Sequence, residues 1–106
     1  MSEIDARIQS TIDENKIVIF MKGSPSFPMC GFSAATIEVF NALAVPYETV
    51  GVLQDPELRE GIKVFSRWPT IPQVYLNGEF LGGSDIMIEM YNSGELRETV
   101  TVALAS

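Results

Sequence analysis

The chain has 106 residues, 46% of them hydrophobic, with 14 acidic and 7 basic side chains and a net charge of −7. That length predicts one domain, residues 1–106, with a core of its own, and the acidic balance argues against a nucleic-acid partner. There is no histidine and one cysteine, Cys30, so an internal disulfide, a Cys-His catalytic pair and an all-protein zinc site are excluded.

No apolar run approaches the roughly 20 residues of a membrane span. The opening Met1-Ser2-Glu3-Ile4-Asp5-Ala6-Arg7 has the pattern of neither a secretory signal nor an Arg-rich transit peptide. A lone cysteine fits a reducing compartment. The expectation is a cytoplasmic protein, or one of an organelle matrix or stroma after removal of a leader.

Residues 2–14 predict a first helix. Ile4, Ile8 and Ile12 repeat at i, i+4 as a core stripe. Ser2 suits its N-cap, and Glu3 and Asp5 suit its first turn. Residues 16–21 form an apolar, partly β-branched run, which reads as a buried strand. A loop over 22–29 follows. From Phe32 to Leu43 there is no Gly or Pro, and Phe32, Ile37, Phe40 and Leu43 recur at helical spacing. Val45-Pro46 stops that helix near residue 44.

Residues 47–52 read as a second strand. Asp55-Pro56-Glu57 is a helix start, with Asp as N-cap and Pro at the first helical position. That helix runs to about residue 66 and turns Leu58, Ile62 and Phe65 inward. Arg59 and Lys63 then share another face, one turn apart. Trp68-Pro69-Thr70-Ile71-Pro72-Gln73 is a rigid connector into a strand over 73–76. Asn77-Gly78 predicts a type I′ hairpin turn, with a return strand over 79–81. Gly82-Gly83-Ser84-Asp85 opens a helix over 86–92, Gly94 breaks it, and 95–103 form a last helix. Helical crossovers make the first strands parallel and right-handed, and the hairpin makes the last pair antiparallel. The fold class is α/β, a four-stranded mixed sheet with helices on both faces, as in thioredoxin-like proteins.

Cys30 falls where the loop hands over to a helix. Free N–H groups and the positive end of the helix dipole point there, which favours the thiolate, the form that attacks disulfides and ligates metals. A lone cysteine is more often a small buried apolar residue; the helix start and the Gly/Pro-rich loop argue for the reactive reading. Lys22, Arg59, Lys63 and Arg67 gather in the same segments, which suggests a small anionic ligand. Taken singly, these cations could be wet surface, Gly82-Gly83 only a turn, Asp85 only a helix-start carboxylate, and Trp68 only packing.

Met21-Lys22-Gly23, Pro28, Cys30-Gly31-Phe32-Ser33, Trp68-Pro69-Thr70-Ile71-Pro72-Gln73 and Gly82-Gly83-x-Asp85 together resemble the single-cysteine (monothiol) glutaredoxins of the Cys-Gly-Phe-Ser class. The resemblance runs over residues 3–103. It implies the glutaredoxin version of the thioredoxin-like fold and a glutathione site beside Cys30. Lys22 and Arg59 match residues that take a glutathione carboxylate. Ile71, before a proline that is cis in the family, matches the residue whose backbone pairs with the tripeptide. Ser84 and Asp85 match the pair that holds the γ-glutamyl end, and Lys63 is an additional candidate cation. Met29 replaces the small polar residue that many relatives carry. Ser84 replaces a second cysteine common in the class, so no disulfide to Cys30 can form.

Two functions are compatible with these residues. Ser33 stands where two-cysteine relatives carry the resolving thiol, so only a monothiol exchange through Cys30 remains. The resemblance implies that the long loop before Cys30 weakens that activity, leaving at most a weak glutathione-dependent oxidoreductase. The main expectation is inorganic. A [2Fe–2S] cluster takes four ligands, usually thiolates. Two copies of Cys30 and two glutathiones complete that count in a homodimer, with Cys30 as the chain's metal ligand. The resemblance implies a role in iron–sulfur transfer and iron homeostasis, with recipient proteins and a BolA-family protein as partners.

Overall fold

The computed structural model describes residues 2–106 and has β1 (Ile17–Met21) at its centre. Every residue of β1 is buried. A strand covered on both faces needs a continuous apolar run, and Ile17-Val18-Ile19-Phe20-Met21 supplies it. Around it lie α1 (Glu3–Glu14), β2 (Gly23–Ser24), β3 (Phe27–Pro28), α2 (Gly31–Leu43), β4 (Glu48–Gly51), α3 (Pro56–Ser66), β5 (Gln73–Leu76), β6 (Glu79–Gly82), α4 (Ser84–Ser93) and α5 (Glu95–Ala105).

The main sheet has the order β4-β1-β5-β6. β4 is parallel to β1, as the helical crossover requires. β5 is also reached through a helix, yet it runs antiparallel to β1. β6 returns antiparallel through Asn77 (φ 50°) and Gly78 (φ 82°), the two positive angles of a type I′ turn. Alternate residues of β1 serve two core layers. Ile17, Ile19 and Met21 pack with Ile37, Phe40, Met87 and Leu96 from α2, α4 and α5. Val18 and Phe20 pack with Ile8, Ile12, Leu58 and Ile62 from α1 and α3. Helices therefore cover both faces.

Local signals hold up at most element ends. Ser2 accepts the Asp5 N–H at 3.1 Å, and Asp55 accepts the Leu58 N–H at 3.1 Å. Three boundaries differ from expectation. α2 ends at Leu43, where Ala44 (φ 57°) takes the left-handed cap and donates its N–H to Asn41. α4 begins at Ser84, two residues early. The stretch 22–29 is no plain loop but carries the short β2–β3 hairpin. Gly23 permits it: φ is +92°, and a Cβ there would lie 2.5 Å from the Phe27 carbonyl oxygen.

Candidate functional site

The hairpin delivers Cys30 to the N-cap of α2. The Met29 N–H donates to the Lys22 carbonyl at 2.8 Å and closes the turn. The Lys22 N–H donates to Ser33 Oγ at 3.1 Å, tying the end of β1 to the first turn of α2. Ser33 is fully buried. It thus holds the chain together at the position where a resolving thiol would otherwise stand.

Cys30 is half-buried, and its side chain makes no capping hydrogen bond. The Ser33 N–H facing its sulfur lowers the thiol below the usual range; the Phe32 N–H and the Lys22 charge add to this, and partial burial opposes it. A lowered pKa keeps the thiolate present as pH falls. Alkylation of Cys30 by iodoacetamide should therefore titrate with a midpoint below that of an ordinary cysteine. A midpoint at or above the ordinary value would contradict this picture.

Beside the thiol opens a cavity of about 470 Å³, within the roughly 300–1,000 Å³ range of small-molecule sites. Lys22, Cys30 and Phe32 form one wall. The connector from Trp68 through Thr70 to Pro72 forms another, and the Ile71-Pro72 bond is cis. Gly83, Ser84 and Asp85, at the start of α4, close the third side. The first N–H groups of a helix have no partner within it, so this side offers donors to an anion. Ser84 is buried and Asp85 exposed.

The cations divide differently from their spacing. Lys63 reaches the cavity wall, with its Nζ 3.2 Å from Glu60 Oε2. Arg59, one turn earlier on α3, does not line the cavity, and its Nε is buried with no hydrogen-bond partner among the described residues. Arg67 takes the left-handed cap of α3 and lies outside the wall as well.

Trp68 does more than the packing its sequence context predicts. The indole does pack against Phe80, with ring centroids 5.5 Å apart, but it also lines the cavity, as do Thr70 and Gly83. The available signal was position: all three lie inside motifs already singled out. Phe32, in the wall beside Cys30, is 63% exposed, and Met29 and Phe27 of the preceding hairpin segment are 56% and 69% exposed. Among the described residues, no group of three His, Cys, Asp or Glu side chains could hold a metal ion. Any metal bound at the site would take Cys30 from this chain and its other ligands from elsewhere.

A half-buried, acidified thiol at a helix N-terminus, facing a cis X-Pro connector on this sheet, defines a thioredoxin-like thiol protein. The glutaredoxin family model matches residues 17–81. The ycf64-like monothiol glutaredoxin of Synechocystis is 57% identical over 98% of this chain and 97% of its own. The mitochondrial monothiol glutaredoxin-5 of Saccharomyces cerevisiae is 50% identical over 98% of this chain and 71% of its own. Among solved structures, reduced apo GrxS14 of poplar superposes with a TM-score of 0.85 at 44% identity, over 97% of this chain and 94% of that one. A buckwheat glutaredoxin–glutathione complex superposes at 0.83 over 94% and 89%, with 22% identity, a likeness of fold. The chain belongs to the glutaredoxin family, in its monothiol branch. No helix is long and apolar enough to cross a membrane among the described residues.

Proposed function

We propose that the protein binds glutathione in the cavity beside Cys30 and carries a glutathione-ligated [2Fe–2S] cluster between two copies of the chain. The observation that carries this reading is the donor set. One acidified thiol stands at the mouth of a cavity with two lysines in its wall, and the chain has no second cysteine and no histidine to join it. Four thiolates are the usual ligand set of such a cluster. Two Cys30 side chains supply two, and a glutathione in each cavity supplies the rest.

In this reading Lys22 and Lys63 neutralise glutathione carboxylates, and Arg59 stands further along the same helix face as an outer cation. The Ile71 backbone is available to pair with the tripeptide: it takes part in no turn or loop hydrogen bond among the described residues. The N-terminus of α4 receives the γ-glutamyl carboxylate, with Asp85 for its ammonium. The exposed side chains of Phe27, Met29 and Phe32 give the second copy, a BolA-type partner or a recipient protein apolar surface to cover. The single thiol suits a reducing aqueous compartment, cytoplasmic or organellar.

Lys22→Ala and Lys63→Ala should each weaken glutathione binding by about 1–3 kcal/mol, the scale of a charged hydrogen-bond partner. Isothermal titration with reduced glutathione checks this, and unchanged affinity in both variants would remove them from the site.

Thiol exchange is the second reading, favoured by the same lowered thiol. The Cys30 thiolate attacks the glutathione sulfur of a mixed disulfide and forms Cys30–S–S–glutathione, while the other thiolate leaves. A glutathione thiolate then attacks that sulfur, releasing oxidised glutathione and restoring Cys30. Robust turnover of a small glutathione mixed disulfide would promote this reading.

A further inference from the structure

We propose that Gln73 is the positioning residue that sets the 68–71 wall of the cavity. Its functional consequence rests on the glutathione reading above. Gln73 is the first residue of β5 and is fully buried. Its Nε2 donates to the Trp68 carbonyl and to the Thr70 carbonyl, each at 3.1 Å. Both partners are acceptors, so the amide orientation is fixed by chemistry: nitrogen towards the connector, oxygen towards the Tyr75 hydroxyl.

The near end of this wall is tied to α3, where the Trp68 N–H faces the Lys63 carbonyl at 3.2 Å and Ser66 Oγ at 3.1 Å; beyond Trp68 the Gln73 amide is the hold. Pro69 has no N–H to give, and no other hydrogen bond reaches residues 69–71 among the described residues. The indole Nε1 of Trp68 is buried with no hydrogen-bond partner among the described residues, so the ring is held by packing, on Phe80 and beside Gly83, and by no hydrogen bond of its own. A connector with two prolines is stiff within itself, but its tilt relative to the sheet is a separate freedom. The Gln73 amide spans the turn and removes that freedom from the one rigid direction available, the central sheet. Gln73 is the fully buried partner of these two bonds, so deleting its donors removes both ties from the connector to the sheet at once.

Gln73→Met keeps the volume and removes both donors. Trp68 is the only tryptophan of the chain, so its fluorescence reports the wall directly, with no ligand present. The expected result is a larger acrylamide quenching constant for Trp68 and glutathione binding weakened about tenfold. Iodoacetamide alkylation of Cys30 at high pH, which does not use the wall, should keep its parent rate. Gln73→Glu provides a second variant: buried and protonated, it retains one donor and should fall between the parent and Gln73→Met in both readouts. Parent-like quenching in both variants would overturn the strut, and so would increased quenching with parent-like glutathione affinity. A parent protein that fails to bind glutathione would end the ligand reading, while the quenching series would still decide the strut.

Discussion

Cys30→Ser should take up no [2Fe–2S] cluster under conditions where the parent protein does. The replacement changes a soft, acidified thiol for a hydroxyl that stays protonated and is a poor iron ligand. Folding is spared for a specific reason. Cys30 occupies the N-cap of α2 without making a capping bond, and serine is among the favoured N-cap residues. The variant should therefore melt at or above the parent temperature while losing the cluster completely. Iron and sulfide analysis after reconstitution, with thermal denaturation alongside, separates the two. A Cys30→Ser protein that holds a stoichiometric cluster would remove Cys30 as the ligand.

Gly23→Val is the most damaging structural change expected near the site. At φ +92° a β-branched residue is strained by about 1–3 kcal/mol. Its Cβ would also lie 2.5 Å from the Phe27 carbonyl oxygen and 2.7 Å from the Met29 nitrogen. Those are backbone atoms, so the collision is relieved only by opening the hairpin that places Lys22 and Cys30. A loss of about 3 kcal/mol is expected, or roughly 10–20 °C in melting temperature for a domain of this size, with glutathione affinity falling as well. Gly31→Ala makes the contrasting control. It lies beside Cys30, but nothing lies within 4 Å of the added carbon, so it should leave stability within about 0.5 kcal/mol. Equal melting temperatures for parent and Gly23→Val would show that the hairpin yields more easily than its geometry implies.

The parts of this fold that were legible in the sequence are those written in local spacing. The Ile8 and Ile12 stripe, the Ser2 and Asp55 caps and the Asn77-Gly78 turn each depend on neighbours within four residues. The parallel pairing of β1 and β4 followed from the helix between them. Of the residues the motifs single out, Lys22, Cys30, Ile71, Ser84 and Asp85 line one cavity.

What was not legible depends on tertiary direction. Two-residue strands such as β2 and β3 have no periodicity to read. The antiparallel run of β5 is set by how the connector over 68–72 redirects the chain, not by the helix before it. Helical spacing put Arg59 and Lys63 on one face, but only packing decided that Lys63 reaches the cavity while the Arg59 Nε is buried. Ser33 and Gln73 are buried polar residues with backbone partners. In a sequence they look the same as solvated ones, because the backbone groups that satisfy them lie in distant or non-helical segments.

The central claim is that a cluster needs glutathione and two chains. The most direct test is anaerobic reconstitution of the protein with iron and sulfide, with and without glutathione, followed by visible absorption and sizing chromatography. The account predicts a coloured dimer with about two irons per dimer, formed only when glutathione is present. A colourless monomer with glutathione present would contradict it, as would a coloured species that forms equally well without glutathione.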